Sequence, residues 1–143
     1  MAALLRALLS GAFRVQSLER LEVYCNAPSP QWGFFAGEVL RCHPRVVAID
    51  IGSNGLGDAG AALLAAAMAT GECARVREVH LDYSGIGADG AERLLAAAPK
   101  CPALARVWLH GNDGVPRATS RALARHLTAN SALFLRGGLS DAE

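Results

Sequence analysis

Four times along the chain, a run of apolar residues with one spacing closes on a small polar residue. Leu18, Leu21 and Val23 lead to Asn26, and Val46, Ile49 and Ile51 lead to Asn54. Val76, Val79 and Leu81 lead to Ser84, and Leu104, Val107 and Leu109 lead to Asn112. The closing positions therefore step by 28, 30 and 28 residues. A fixed period of this size is the signature of a solenoid, in which each unit buries its apolar face against its neighbours. Such a stack leaves one broad curved face free, which favours a chain that presents a surface over one that encloses a reaction.

Each unit reads as strand, turn and helix. In the second, Val46 to Ile51 alternates at period two, with Val47 the exception, and is rich in β-branched residues. Gly52 to Gly57 break regular structure, Asp58 suits a helix cap, and Ala59 to Met68 are strong helix formers ended by Gly71. The third unit repeats this with a strand over Val76 to Leu81, a turn over Ser84 to Gly87, a helix over Asp89 to Ala98 and a stop at Pro99. The fourth has its strand at Leu104 to Leu109 and a helix from Pro116 to about Leu127. The first is the most divergent, with Pro28 and Pro30 in its turn and Trp32, Phe34 and Phe35 on its helix. These readings predict a single domain over 1–143 with repeats at 18–45, 46–75, 76–103 and 104–131. Residues 1–17 form the helix of an incomplete repeat, and 132–143 a terminal strand and tail.

Strands separated by a helix run parallel with a right-handed crossover. The frame LxxLxLxxN followed by xLxxxGxxxLxxxL resembles the leucine-rich repeat of the ribonuclease-inhibitor-like subfamily. The central units carry it as Ile49-Asp-Ile51-Gly-Ser-Asn54-Gly-Leu56-Gly-Asp58-Ala-Gly60 and Val79-His-Leu81-Asp-Tyr-Ser84-Gly-Ile86-Gly-Ala-Asp89-Gly90. The resemblance implies an α/β fold: a short right-handed leucine-rich-repeat solenoid, or horseshoe, with parallel strands on the concave face and helices on the convex face. It also implies a structural ladder in which Asn26, Asn54 and Asn112 bond the backbone of the next turn, with Ser84 a shorter and weaker rung.

The chain has 143 residues, of which 52% are hydrophobic and 19% charged, with a net charge of +1. That suits one folded domain and lacks the strongly basic balance of a nucleic-acid binder. No apolar run approaches the roughly 20 residues that span a bilayer. Of four cysteines, Cys42, Cys73 and Cys101 precede a repeat's first apolar residue by three or four positions, and Cys25 lies apart. With no CxxC pair, they read as buried, reduced thiols in an intracellular, cytoplasmic protein. The acid-poor opening with Arg6 and Arg14 also fits a mitochondrial transit peptide, the alternative to a repeat helix.

The string Gly55-Leu-Gly57-Asp-Ala-Gly60 follows a strand, opens a helix and is trailed by Asp82, close to a dinucleotide fingerprint. It recurs as Gly85, Gly87 and Gly90 at the repeat period, which assigns it to the repeat.

In this frame the residues between the apolar positions point to the concave side. They form three columns: Arg20, Ala48, Glu78 and Arg106; Glu22, Asp50, His80 and Trp108; and Tyr24, Gly52, Asp82 and His110, with Tyr83 at the edge. Trp, Tyr and Arg dominate binding hot spots, so Tyr24, Asp50, Glu78, His80, Asp82, Tyr83, Arg106, Trp108 and His110 are the candidate partner-binding residues. A metal cluster at His80, Asp82 and His110 lacks a fourth ligand; cross-strand pairs of Asp50 with His80, Asp82 with His110 and Glu78 with Arg106 account for the same residues. No GxSxG occurs, and no Cys lies beside a suitable base. The expected role is a non-catalytic module that binds one or more protein partners through the concave face or turn rim, without cofactor, metal, nucleic acid or membrane span. The alternative is a structural accessory subunit of a larger assembly, an organellar one if the Arg-containing start is a retained address. A nucleotide-binding enzyme using the glycine turn ranks third.

Overall fold

The computed structural model describes residues 18–132, the last four by their backbone only. The expectations for 1–17 and for 133–143 lie outside the described residues. The chain runs β1 (Arg20–Glu22), α1 (Gln31–Cys42), β2 (Ala48–Asp50), α2 (Gly57–Ala69), β3 (Glu78–His80), α3 (Ala88–Ala97), a 3-10 turn (Ala98–Lys100), β4 (Arg106–Trp108) and α4 (Arg117–Ala132). Pro99 has no N–H to continue α3, and the chain tightens there into the 3-10 turn. Ala132, expected to open a terminal strand, instead closes α4.

The four strands form one parallel sheet in the order β1-β2-β3-β4, so spatial order follows chain order. Leu21, Ile49, Val79 and Val107 stand in one row across it, between the rows Arg20, Ala48, Glu78, Arg106 and Glu22, Asp50, His80, Trp108. Alternation along a strand sends the first row to one face and the other two to the opposite face. The apolar row joins Phe35, Leu56, Leu64, Ile86 and Leu94 in a continuous core between sheet and helices. The first two helices approach closely: a methyl on Gly33 would overlap the backbone carbonyl of Gly60, and one on Gly60 would press within 3.1 Å of Pro30. The third glycine of the GxGxxG string is thus a packing residue.

The ladder runs backwards and is interrupted. Asn54 donates from Nδ2 to the carbonyls of Val23 (2.6 Å) and Ile51 (2.9 Å), and its Oδ1 accepts the N–H of Asn26 (2.7 Å). Asn112 likewise donates to Leu81 and Leu109, and accepts from Ser84 (3.0 Å) and Ile86 (2.9 Å). Each of these two asparagines therefore ties its own turn to the preceding one. The hydroxyl of Ser84 reaches only the Asp82 carbonyl of its own turn, at 3.2 Å. Its side chain is too short to cross to the second unit. That link is supplied elsewhere: the carboxylate of Asp58 accepts the N–H groups of Gly87 (2.7 Å) and Gly90 (3.0 Å), capping α3 from the second repeat.

The expectation of reduced thiols is corrected by a disulfide between Cys73 and Cys101, whose Cα atoms lie 5.2 Å apart. The equivalent positions are His43, Cys73 and Cys101, whose carbonyls accept the N–H of Val46, Val76 and Leu104 in turn. Stacking therefore sets the two cysteines side by side, within the usual bridging distance. Cys42 falls one residue out of this column and remains free, as does the exposed Cys25. The bridged cysteines are 28 residues apart. Reduction should lower the unfolding free energy by about 3–4 kcal/mol in the loop-entropy account. Guanidinium midpoints with and without reductant, on wild type and on Cys73→Ser/Cys101→Ser, check this, and the double variant should ignore reductant.

Candidate binding face

The strand register places the first column in line, and its ions pair through Glu78. That carboxylate lies 3.1 Å from Arg106 and 3.5 Å from Arg20, and its Oε2 is 3.8 Å from Nε2 of His80. Arg20 also lies 3.4 Å from Glu22. Arg20 and Glu78 flank Ala48 in the register, and their ion pair spans it; Ala48 is accordingly 2% exposed. The dip that a small residue leaves in the column is roofed by charge. Sequence reasoning left Arg20 out of the partner-binding residues. Its signal was the alanine between it and Glu78, which lets a long side chain reach across.

Two of the three expected cross-strand pairs do not form. Asp50 turns its Oδ1 to the N–H of Gly52 (3.0 Å), and Asp82 turns its Oδ1 to the backbone N–H of His110 (2.7 Å). A carboxylate beside a fixed backbone donor gains a charge-assisted bond with little side-chain entropy to lose. The histidines pair with rings instead. Trp108 stacks on His80, with centroids 5.4 Å apart and planes 20° apart. Tyr83 meets His110 edge-on, with centroids 5.2 Å apart at 87°.

Two groups result: Arg20, Glu78, His80, Arg106 and Trp108; and Asp82, Tyr83 and His110. Tyr24 and Asp50 join neither through a hydrogen bond, ion pair or ring contact among the described residues. The face is polar and well supported, yet Trp108, Tyr83 and Tyr24 remain 45%, 60% and 57% exposed. Among the described residues, no group of three or more His, Cys, Asp or Glu side chains is arranged to hold a metal ion. In the glycine turns, Gly57 N–H bonds the Ser84 carbonyl, Gly60 N–H the Leu56 carbonyl, and Gly87 and Gly90 N–H bond Asp58. The carboxylate of Asp58 occupies the place an anionic ligand would need at α3. No described helix is long and apolar enough to cross a membrane.

No family model and no curated protein matches the chain. Solved structures do. Actin-binding site 2 of leiomodin-1 superposes with a TM-score of 0.69 at 11% identity, covering 92% of this chain and 90% of that one. The tropomodulin C-terminal domain of Caenorhabditis elegans superposes with a TM-score of 0.63 at 13% identity, covering 94% of this chain and 96% of that one. At such identities the likeness shows the fold. It corrects the expected ribonuclease-inhibitor-like subfamily: the matching domains are leiomodin and tropomodulin. The physical reason is that the residues carrying that resemblance are the ones any stack of strand–turn–helix units needs, so they report stacking and not subfamily.

The third residue past each strand end, at Cys25, Ser53, Tyr83 and Gly111, has φ of 57°, 56°, 51° and 70°. At the fourth position only glycine fits, because a methyl there would overlap the Tyr83 ring. Gly111→Ala should therefore push Tyr83 off His110 and cost more than the ~1 kcal/mol of an ordinary glycine replacement at positive φ. A lower thermal midpoint together with a changed near-ultraviolet circular dichroism signal is the expected result.

Proposed function

We propose that this chain is a non-catalytic protein-interaction module, one leucine-rich-repeat domain forming a short right-handed horseshoe whose concave strand face takes a protein partner. The observation that carries this is Trp108: a large aromatic, half-exposed on β4, held flat by His80 and flanked by Arg106. A rigid exposed tryptophan beside arginine has the chemistry of a binding hot spot, with little conformational entropy left to lose on association. Tyr83 and His110 extend the surface past the strand ends. Asp50, Asp82 and Glu78 shape it by holding the backbone and the arginines, and Tyr24 lies at its far rim.

Actin is the partner to try first, because the leiomodin-1 structure that superposes on this chain is an actin-binding site. The test is co-sedimentation with filamentous actin and gel filtration with monomeric actin, using wild type and Trp108→Ala matched by circular dichroism. A hot-spot tryptophan predicts that Trp108→Ala weakens binding by about thirtyfold, the equivalent of ~2 kcal/mol. Equal binding by both proteins would remove the concave face from the interface.

A further inference from the structure

Among the described residues, the sheet ends at β4 with one long side uncovered. In a parallel ladder, the N–H and C=O of one residue point to the same side of its strand, and successive residues alternate. The Leu81 N–H donates to the Trp108 carbonyl, and the Tyr83 N–H donates to the His110 carbonyl, so these even-numbered residues of the fourth strand face β3. Val107, Leu109 and Gly111 therefore turn their N–H groups outward. Their counterparts one repeat earlier show what is missing: Leu81 and Tyr83 use those donors to hold the next strand.

The side chains repeat the pattern. Val79, Leu81 and Ile86 are buried to 1%, 0% and 1% exposure by the unit that follows them, whereas Val107, Leu109 and Val115 are only half-buried. They line a cleft of about 440 Å³ that runs between β4 and α4 and is floored by Leu123 and Leu127. Beside it, α4 carries Arg117, Arg121 and Arg125, four residues apart and so on one helix face. All three are exposed, and among the described residues none is paired with a carboxylate. The one arginine of α1, Arg41, by contrast holds Glu38 at 2.7 Å. The helix α4 contains no acidic residue to relieve the repulsion within the row.

From this juxtaposition we infer that the β4 edge is a docking site for an extended acidic segment of a partner protein, which adds a fifth strand to the sheet. The free donors give it a backbone ladder, its inward side chains fill the cleft, and its carboxylates meet Arg117, Arg121 and Arg125. Strand addition with side-chain pockets is an established mode of peptide recognition. The backbone donors and the apolar cleft favour a polypeptide over a nucleic acid, to which the arginines alone would be open. The site lies beyond the concave-face reading, because its donors belong to the strand edge and its cleft to the core side of the sheet.

The test uses the full chain and a fluorescein-labelled peptide of about eight residues that alternates leucine and glutamate, long enough to span a strand. Anisotropy should show saturable binding that weakens with salt. Arg117→Glu/Arg121→Glu should lose at least about tenfold in affinity and gain affinity for the matching leucine–lysine peptide. Bound peptide should slow hydrogen exchange at Val107, Leu109 and Gly111. Three outcomes would overturn the inference. One is no saturable binding, with those amides already protected in the free chain, which would assign the edge to the chain's own terminal residues or to a second copy. Another is binding that leaves β4 exchange unchanged. The third is a stronger response to a single-stranded oligonucleotide than to the acidic peptide.

Discussion

The distance between neighbouring parallel strands, roughly 4.8 Å, governs this protein. Because spatial order follows chain order, each repeated position is set against its own counterparts and little else. The chemistry of the molecule is therefore a matter of columns. One places Cys73 against Cys101 and closes a disulfide. Another places Glu78 between two arginines. A third lays Trp108 on His80. A column of identical charges would repel at every step, and the sequence Arg20, Ala48, Glu78, Arg106 avoids this by alternating cation, gap, anion and cation.

That constraint also decides what could be read from the sequence. The columns were legible, since a repeat period and a two-residue alternation together fix both the neighbour and the face. Strand length was not. Val46 to Ile51 alternates over six positions, yet only Ala48–Asp50 is strand. The Val47 carbonyl accepts two N–H groups of the next unit, Arg77 and Glu78, and Arg77 does the same for Ala105 and Arg106. Each ladder thus opens on a shared acceptor that breaks the regular pairing. The partners of Asp50 and Asp82 were also hidden. Residue spacing sets which side chains are adjacent, but the choice between an imidazole and a backbone N–H turns on local loop geometry. The disulfide was missed by one residue: Cys42 looks like a member of the column that His43 occupies.

The subfamily was illegible for a deeper reason. Ile49, Ile51, Asn54, Leu56 and their counterparts in the third unit are fixed by burial and by the need to tie one turn to another. Residues under that constraint recur wherever such units stack. What separates one stack from another lies on the exposed faces, and a likeness at 11% and 13% identity speaks to the fold alone.

Function in such a molecule should collect where the repeat rule is broken, because an interior position that obeys it is already committed to its neighbours. The departures fall together toward the fourth unit. Ser84 replaces the laddering asparagine, and Gly111 makes room for the ring of Tyr83. Trp108 stands where the column had two carboxylates and a histidine. The fourth helix exchanges the small apolar surface of α2 for a row of arginines. On the same side, no strand among the described residues follows β4 to satisfy its outward donors. At the open side of a stack of like units, every interaction that the period supplies internally becomes available to another molecule.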